Sequence, residues 1–189
     1  MAKCSVFVGT SVDGFIARRD GRFDFLPPDG GEEHGYKAFI ATVDAIVMGR
    51  GTFDVVVGLG HWPFRQPVFV LTTRPYMPTL PPGARIEFMS GEPTEIVARL
   101  SARGYRHLYV DGGLTIQRFL GAGLVHTMTI TRAPVVIGEG IPLFGPTHRD
   151  VRLEHLETRS YPSGLVTTEY ALAGSPPSEG AVIPPTPRR

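Results

Sequence analysis

The chain has 189 residues, a formal net charge of +1, 42% hydrophobic and 20% charged residues, a balance that suits one globular domain and is far from the composition of disorder or a membrane span. So even a charge gives no general pull on a nucleic acid backbone, which takes a clustered excess of Lys and Arg. Cys4 is the single cysteine and the six histidines lack the i, i+4 pairing of zinc motifs, so neither an internal disulfide nor a metal site is expected.

No stretch approaches the length of a transmembrane helix and the N-terminus carries no signal-like apolar run, so a cytoplasmic protein with no membrane partner is expected. Lys3 and Lys37 are the only lysines among 19 basic residues, so a phosphate gripped by a side chain would meet an arginine fork.

In chain order, Ser5 to Gly9 is apolar and passes through Thr10 and Ser11 into Val12-Asp13-Gly14-Phe15-Ile16-Ala17, which predicts a buried first strand and its exit turn. Arg18 to Gly31, rich in Asp, Gly, Arg and Pro, reads as a surface loop. From Glu32 to Thr42, Tyr36, Phe39 and Ile40 recur at helical spacing. Glu32 and Glu33 then fall in the first turn, where the helix dipole favours carboxylates. Asp44 to Met48 predicts a strand, Gly49 interrupts it, and Thr52 opens a helix up to Gly58. Val68 to Leu71 is a strand ending at Thr72-Thr73-Arg74-Pro75.

Ile86 to Met89 predicts the next strand. Pro93 to Arg103 is a helix that begins with Pro, carries Ile96, Val97 and Leu100 on one face, and stops at Gly104. Leu108 to Val110 is a strand, Asp111-Gly112-Gly113 a turn, and Leu114 to Leu120 a helix closed by Gly121 or Gly123. Strands alternating with helices predict a largely parallel sheet. After Gly123, Val125 to Thr131, Arg152 to Thr158 and Leu165 to Leu172 are strand-like with no helix between them, and Pro162-Ser163-Gly164 can close a hairpin, so the last strands should be antiparallel. The expected fold is therefore three-layer α/β, a central mostly parallel sheet flanked by helices, with antiparallel C-terminal strands. Residues 1–173 form the domain, and residues 174–189, with five prolines, are expected to be a flexible tail.

In open parallel sheets ligands bind at the carboxyl ends of strands, where helix N-termini present unpaired N–H groups to anions. Three segments have that placement. Around Gly49, the glycine would let a phosphate near the backbone, Arg50 would supply a fork and Thr52 a hydroxyl; a plain turn with Arg50 paired to a surface carboxylate fits equally. Thr72, Thr73 and Arg74 end a strand and suit either a 2′-phosphate or a solvated loop. Asp111-Gly112-Gly113-Leu114-Thr115 permits close approach of a pyrophosphate, or only a tight turn. None matches G-x-G-x-x-G or the P-loop.

The order of the segments carries a resemblance. Ser11-Val12-Asp13-Gly14-Phe15-Ile16-Ala17, Val47-Met48-Gly49-Arg50-Gly51-Thr52-Phe53, Leu71-Thr72-Thr73-Arg74, Val110-Asp111-Gly112-Gly113 and Gly138-Glu139-Gly140-Ile141-Pro142-Leu143-Phe144 together resemble the dihydrofolate reductase superfamily, closest to the reductase domain of bifunctional riboflavin enzymes and its stand-alone relatives. The resemblance covers residues 3 to about 173.

By that resemblance the cofactor is NADPH. Gly49, Arg50 and Thr52 would bind its phosphates, and Thr72, Thr73 and Arg74 would lie near the adenosine 2′-phosphate. Asp111, Gly112, Gly113, Leu114 and Thr115 would cradle the pyrophosphate, with a cis peptide at Asp111-Gly112 or Gly112-Gly113. Val8, Gly9 and the loop from Ser11 to Ile16 would border the nicotinamide and a small heterocyclic substrate, and relatives of this type are commonly homodimers. Asp111 replaces the first glycine of the dihydrofolate reductase triple-glycine turn and Ile116 stands where those enzymes carry a tyrosine, which speaks against folate. The zinc deaminase half of the bifunctional enzyme is missing, so any riboflavin role would be the reduction alone.

A carboxylate is needed to grip an aminopyrimidine edge. Counting back from Gly49, Glu33 falls where dihydrofolate reductases place theirs, although Glu32 and Glu33 also suit a plain first helical turn. Asp13 is the second candidate, or else only nucleates the Asp-Gly turn. Two function classes follow: an NADPH-dependent reductase of a pteridine-like or aminopyrimidine compound, and a non-catalytic NADP(H)-binding module of the same fold. A structural protein that docks partners through the tail is a third reading.

Overall fold

The structure, a computed structural model, describes residues 1–27, 32–74, 78–147 and 150–172. The expected tail lies outside the described residues.

In chain order the elements are β1 (Lys3–Thr10), β2 (Phe15–Ala17), α1 (Tyr36–Ala41), β3 (Ala45–Gly49), α2 (Arg50–Val57), β4 (Val68–Leu71), β5 (Ile86–Met89), α3 (Pro93–Ala102), β6 (His107–Asp111), α4 (Gly113–Gly121), β7 (Val125–Arg132), β8 (Ile141–Pro142), β9 (Leu153–Ser160) and β10 (Val166–Leu172). Eight strands form one sheet in the order β5-β4-β3-β6-β1-β7-β10-β9, and β2 pairs with β8 in a separate antiparallel ribbon.

The sheet is parallel from β5 through β7 and antiparallel at β10 and β9. The antiparallel hairpin is as the sequence predicts. β7 joins the two parts of the sheet: it pairs antiparallel with β10 as expected and also parallel with β1, Val6 opposite Met128. The reason is the connection: α4 carries the chain from β6 across β1, so β7 leaves that crossover pointing the same way as its neighbour.

Alternation along the strands sorts the core onto two sides. Cys4, Val6, Val8, Ala45, Val47, Leu108 and Val110 face Ile96, Val97 and Leu100 of α3 and Ile116, Phe119 and Leu120 of α4. Ile46, Met48, Val68, Val70 and Tyr109 face Phe53 of α2, with Tyr36, Phe39 and Ile40 of α1 against them. Two helical layers thus enclose the sheet.

The local signals act where expected. Pro93 opens α3, and Glu92 and Glu95 exchange hydrogen bonds with each other's backbone N–H groups, a reciprocal cap. The helix expected from Glu32 starts only at Tyr36, because Gly35 enters it in a left-handed conformation at φ 85°. Glu32 and Glu33 therefore precede the helix. Glu32 accepts hydrogen bonds from the backbone N–H and hydroxyl of Ser163, tying this segment to the β9–β10 turn. The helix expected from Thr52 begins two residues earlier, at Arg50, with Gly49 as its cap.

Candidate active site

Two neighbouring strands, β3 and β6, send their chains in opposite directions. From β3 the chain runs through α2 to β4, and from β6 through α4 to β7 on the other side of the sheet order. The crevice above such a pair is where open α/β sheets bind ligands. Both helices start directly at their strand tips, α2 from Gly49 and α4 from Gly112, and neither has a side-chain cap. The first N–H groups of both helices therefore face the same crevice without an intrahelical partner, which is a setting for an anion.

The two tips are keyed to one another. A Cβ on Gly49 would stand 2.9 Å from Thr115 Oγ1, and one on Gly112 would collide with Thr52 Oγ1. Each helix thus lays its threonine against the glycine of the other strand tip. Gly112 also has φ 89° and ψ 135°, a conformation reserved for glycine. It makes the turn, and the expected cis peptide is absent: all peptide bonds among the described residues are trans. Gly113 serves packing, since a Cβ there would meet Ile141 Cγ2 and Pro142 O at 3.1 Å and Ile16 Cδ1 at 3.2 Å, the β2–β8 ribbon.

Around the cradle, Arg50 lies 3.9 Å from Asp54 at a half-exposed position, an i, i+4 pair on the first turns of α2. Thr72 Oγ1 accepts the Arg74 N–H at 3.3 Å and donates to Arg74 O at 3.1 Å, folding the end of β4 into a turn with Thr73 and Arg74 exposed. Leu114 is 75% exposed at the mouth. Val8 is buried in the core cluster with residues of α3 and α4, and Gly9 abuts Leu26, whose methyls fill the space a side chain would take.

The carboxylates differ sharply. Glu33, expected as a buried grip on the helix, is an exposed side chain ahead of α1, 3.2 Å from Lys37. Asp13 accepts the backbone N–H groups of Ile137 and Gly138 at 3.3 and 2.8 Å. Its pKa is lowered, first by the Ser11 hydroxyl and then by these N–H groups. Asp13 thereby latches the loop after β1 to the segment before β8. Asp111, at the tip of β6, accepts the Gly112 N–H at 2.8 Å. Burial raises its pKa to about 6, against the opposing pull of the Gly112 N–H and Tyr109.

Sequence reasoning had placed Asp111 in the pyrophosphate cradle and not among the carboxylates for a substrate; the signal that would single it out is the fully apolar run Leu108 to Val110 (Tyr109 included) that sinks its carboxyl among buried neighbours. The β2–β8 wall also went unread, because strands of three and two residues have no periodicity.

The fold is that of the dihydrofolate reductases, and the crevice lies at the switch point between β3 and β6. The chain belongs to the RibD C-terminal domain family, whose model matches residues 2–167. It is similar to a crystal structure of a candidate riboflavin biosynthesis protein from Shewanella sp. PV-4, with 36% identity, a TM-score of 0.82, and coverage of 91% of this chain and 99% of that one. It is 29% identical over 166 residues to Bacillus subtilis YwjB, covering 84% of this chain and 92% of the relative. Dihydrofolate reductase from Enterococcus faecalis, in complex with NADP(H), shares the fold at a TM-score of 0.63 and 19% identity over 90% of this chain and 96% of that one.

Proposed function

We propose that the chain is an NADPH-dependent reductase of a pteridine-like or aminopyrimidine compound, with 5-amino-6-(5-phosphoribosylamino)uracil as the leading candidate. The observation that carries the reading is the crossed pair of glycines and threonines at the β3 and β6 tips, beneath two helix N-termini without side-chain caps. That cradle fits a pyrophosphate: a Cβ at Gly112 would close it, and the N–H groups of both helices supply donors. Family membership and the NADP(H) bound by the Enterococcus enzyme support the choice of cofactor.

Gly49, Arg50, Thr52, Gly112, Gly113, Leu114 and Thr115 would hold the phosphates, and Thr72, Thr73 and Arg74 the 2′-phosphate. The chemistry that bound NADPH supplies is hydride donation. The chain's own part is to bind, align and dehydrate. Glu33 and Asp13 stay among the proposed carboxylates for the heterocycle, and Asp111 joins them in first place. Its carboxyl is withdrawn from water and can donate a hydrogen bond when protonated or accept one when not.

A titration of NADPH against NADH, followed by fluorescence of Trp62, tests the reading. NADPH should bind more tightly, Arg74→Ala should lower that preference by about 1–3 kcal/mol for a lost charge-assisted contact, and Arg50→Ala should weaken both cofactors alike by a similar amount. Equal affinity for the two cofactors in the unmodified protein contradicts the 2′-phosphate site. NADPH binding without oxidation by the uracil compound removes that substrate, and without oxidation by any heterocycle leaves an NADP(H)-binding module.

A further inference from the structure

Residues two apart on a strand face the same side, so Tyr109 and Asp111 share the face of β6 that α1 covers. Tyr109 is 5% exposed, its ring edge-on to Phe39 at 5.2 Å and to Tyr36 at 6.4 Å. Its hydroxyl donates to Phe7 O of β1 at 2.9 Å and also lies against the Asp111 carboxyl. Burial holds the Tyr109 pKa well above the usual phenol range, so the hydroxyl keeps its single hydrogen. At the strand tip, Asp111 Oδ1 accepts the Gly112 N–H at 2.8 Å.

One hydrogen thus stands between two acceptors. With Asp111 protonated, Tyr109 gives its hydrogen to Phe7 O, as the structure has it, and the carboxyl keeps its own for a molecule in the crevice. With Asp111 ionised, the carboxylate is the stronger acceptor. Rotation of the hydroxyl about its C–O bond then turns the hydrogen from Phe7 O to Asp111, while the Gly112 N–H holds Oδ1 throughout.

We propose that Tyr109 is a positioning residue of the candidate site, a two-way hydroxyl that lets Asp111 give a proton to the heterocycle and then satisfies the carboxylate left behind. This rests on the reading of the chain as a reductase. The Asp111 O–H bond breaks as the nitrogen or oxygen of the reduced C=N or C=O bond takes the proton. The π electrons of that bond form the new N–H or O–H bond, its carbon takes the hydride that NADPH supplies, and Asp111 recovers a proton from water once the product leaves.

The surroundings leave this titration to the pair. Tyr36 of α1 is the other titratable group facing Tyr109, β1 brings Phe7 O to it, and β3 sets Met48 opposite Asp111. Among the described residues no charged side chain acts on the Asp111 carboxyl. Burial raises its pKa to about 6 against the pull of Gly112 and Tyr109, so both protonation states are reached near neutrality.

Carbon-13 NMR of the full chain without ligand tests this between about pH 4 and 8, with labels at the aspartate carboxyl carbon and the hydroxyl-bearing ring carbon of tyrosine. One aspartate signal should titrate at about 6 and be lost in Asp111→Asn. The Tyr109 signal, identified by its loss in Tyr109→Phe, should move at the same pH and stand still in Asp111→Asn. Tyr109→Phe keeps the ring against Tyr36 and Phe39 and removes the hydroxyl, so it should raise the Asp111 midpoint by about one pH unit. With NADPH and 5-amino-6-(5-phosphoribosylamino)uracil, kcat/KM should fall as pH rises through the NMR midpoint. Tyr109→Phe should lower its maximum about tenfold and move the fall to higher pH, whereas a residue needed only for packing would leave the fall where it is. A Tyr109 signal that stays flat across the Asp111 titration, an unmoved Asp111 midpoint in Tyr109→Phe, or a kcat/KM profile indifferent to that midpoint overturns the proposal. If the uracil compound does not oxidise NADPH, the substrate reading fails, and the NMR midpoints alone decide for or against Tyr109.

Discussion

Replacing Gly112 by alanine probes the crossed tips directly, and two effects add. At φ 89° and ψ 135° a residue with a Cβ carries about 1–3 kcal/mol of backbone strain. The new methyl also lands on Thr52 Oγ1. Thr52 belongs to the first turn of α2, and Thr115 of α4 lies so near Gly49 that a Cβ built there would stand 2.9 Å from its Oγ1, so both crossings leave little room for a methyl. Overpacking of that kind costs about 1–3 kcal/mol. Urea unfolding should therefore show Gly112→Ala less stable by about 2–6 kcal/mol. Adding Thr52→Ala should return the overpacking part and leave the strain. Gly60→Ala is the comparison, because Gly60 has φ 79° but nothing within 4 Å of a built Cβ, so only strain of about 1–2 kcal/mol applies. A Gly112→Ala protein within about 0.5 kcal/mol of the original, or no recovery on adding Thr52→Ala, would refute the reasoning.

Asp111 predicts a pH dependence. Its folded pKa, about 6, lies above the ordinary 3.8, so the folded state binds the proton more tightly and the contribution is complete below pH 3.8 and lost as pH rises through about 6. The shift corresponds to about 3 kcal/mol, and Asp111→Asn should flatten the fall in stability across that window in denaturation curves taken from pH 4 to 7. An unchanged slope would place the titration elsewhere. Asp13→Asn keeps the side chain's shape but removes the charge that accepts the Ile137 and Gly138 N–H groups. Hydrogen exchange at those two amides should quicken while global unfolding stays the same; equal exchange would mean that the latch is held by other contacts.

Where structure is set locally, the sequence was legible. Ile86–Met89 matches its strand to the residue, and Pro93–Ala102 is bounded by a proline and the Gly104 stop. The strand tips at Gly49, Leu71 and Asp111 were legible for the same reason, as glycine or turn residues following apolar runs. What depends on distant partners was not. The direction of β7 follows from the path of α4 over β1, and nothing within Val125–Arg132 encodes it. The start of α1 turns on the left-handed Gly35, and Glu33 consequently sits outside the helix, paired with Lys37. The division of labour between Gly112, which turns, and Gly113, which packs against Ile141 and Pro142, needs the third dimension.

In the proposed dinucleotide site, the crossed threonines and glycines would make ligand affinity a report on the whole order of assembly. Thr52 and Gly112 come from β-α units separated by β4, β5 and α3, so the crevice proposed for phosphates is complete only once the second unit has settled beside the first. A folding intermediate lacking that docking would have strands and helices yet hold no dinucleotide, and ligand added during refolding would act only on molecules that have completed the last step.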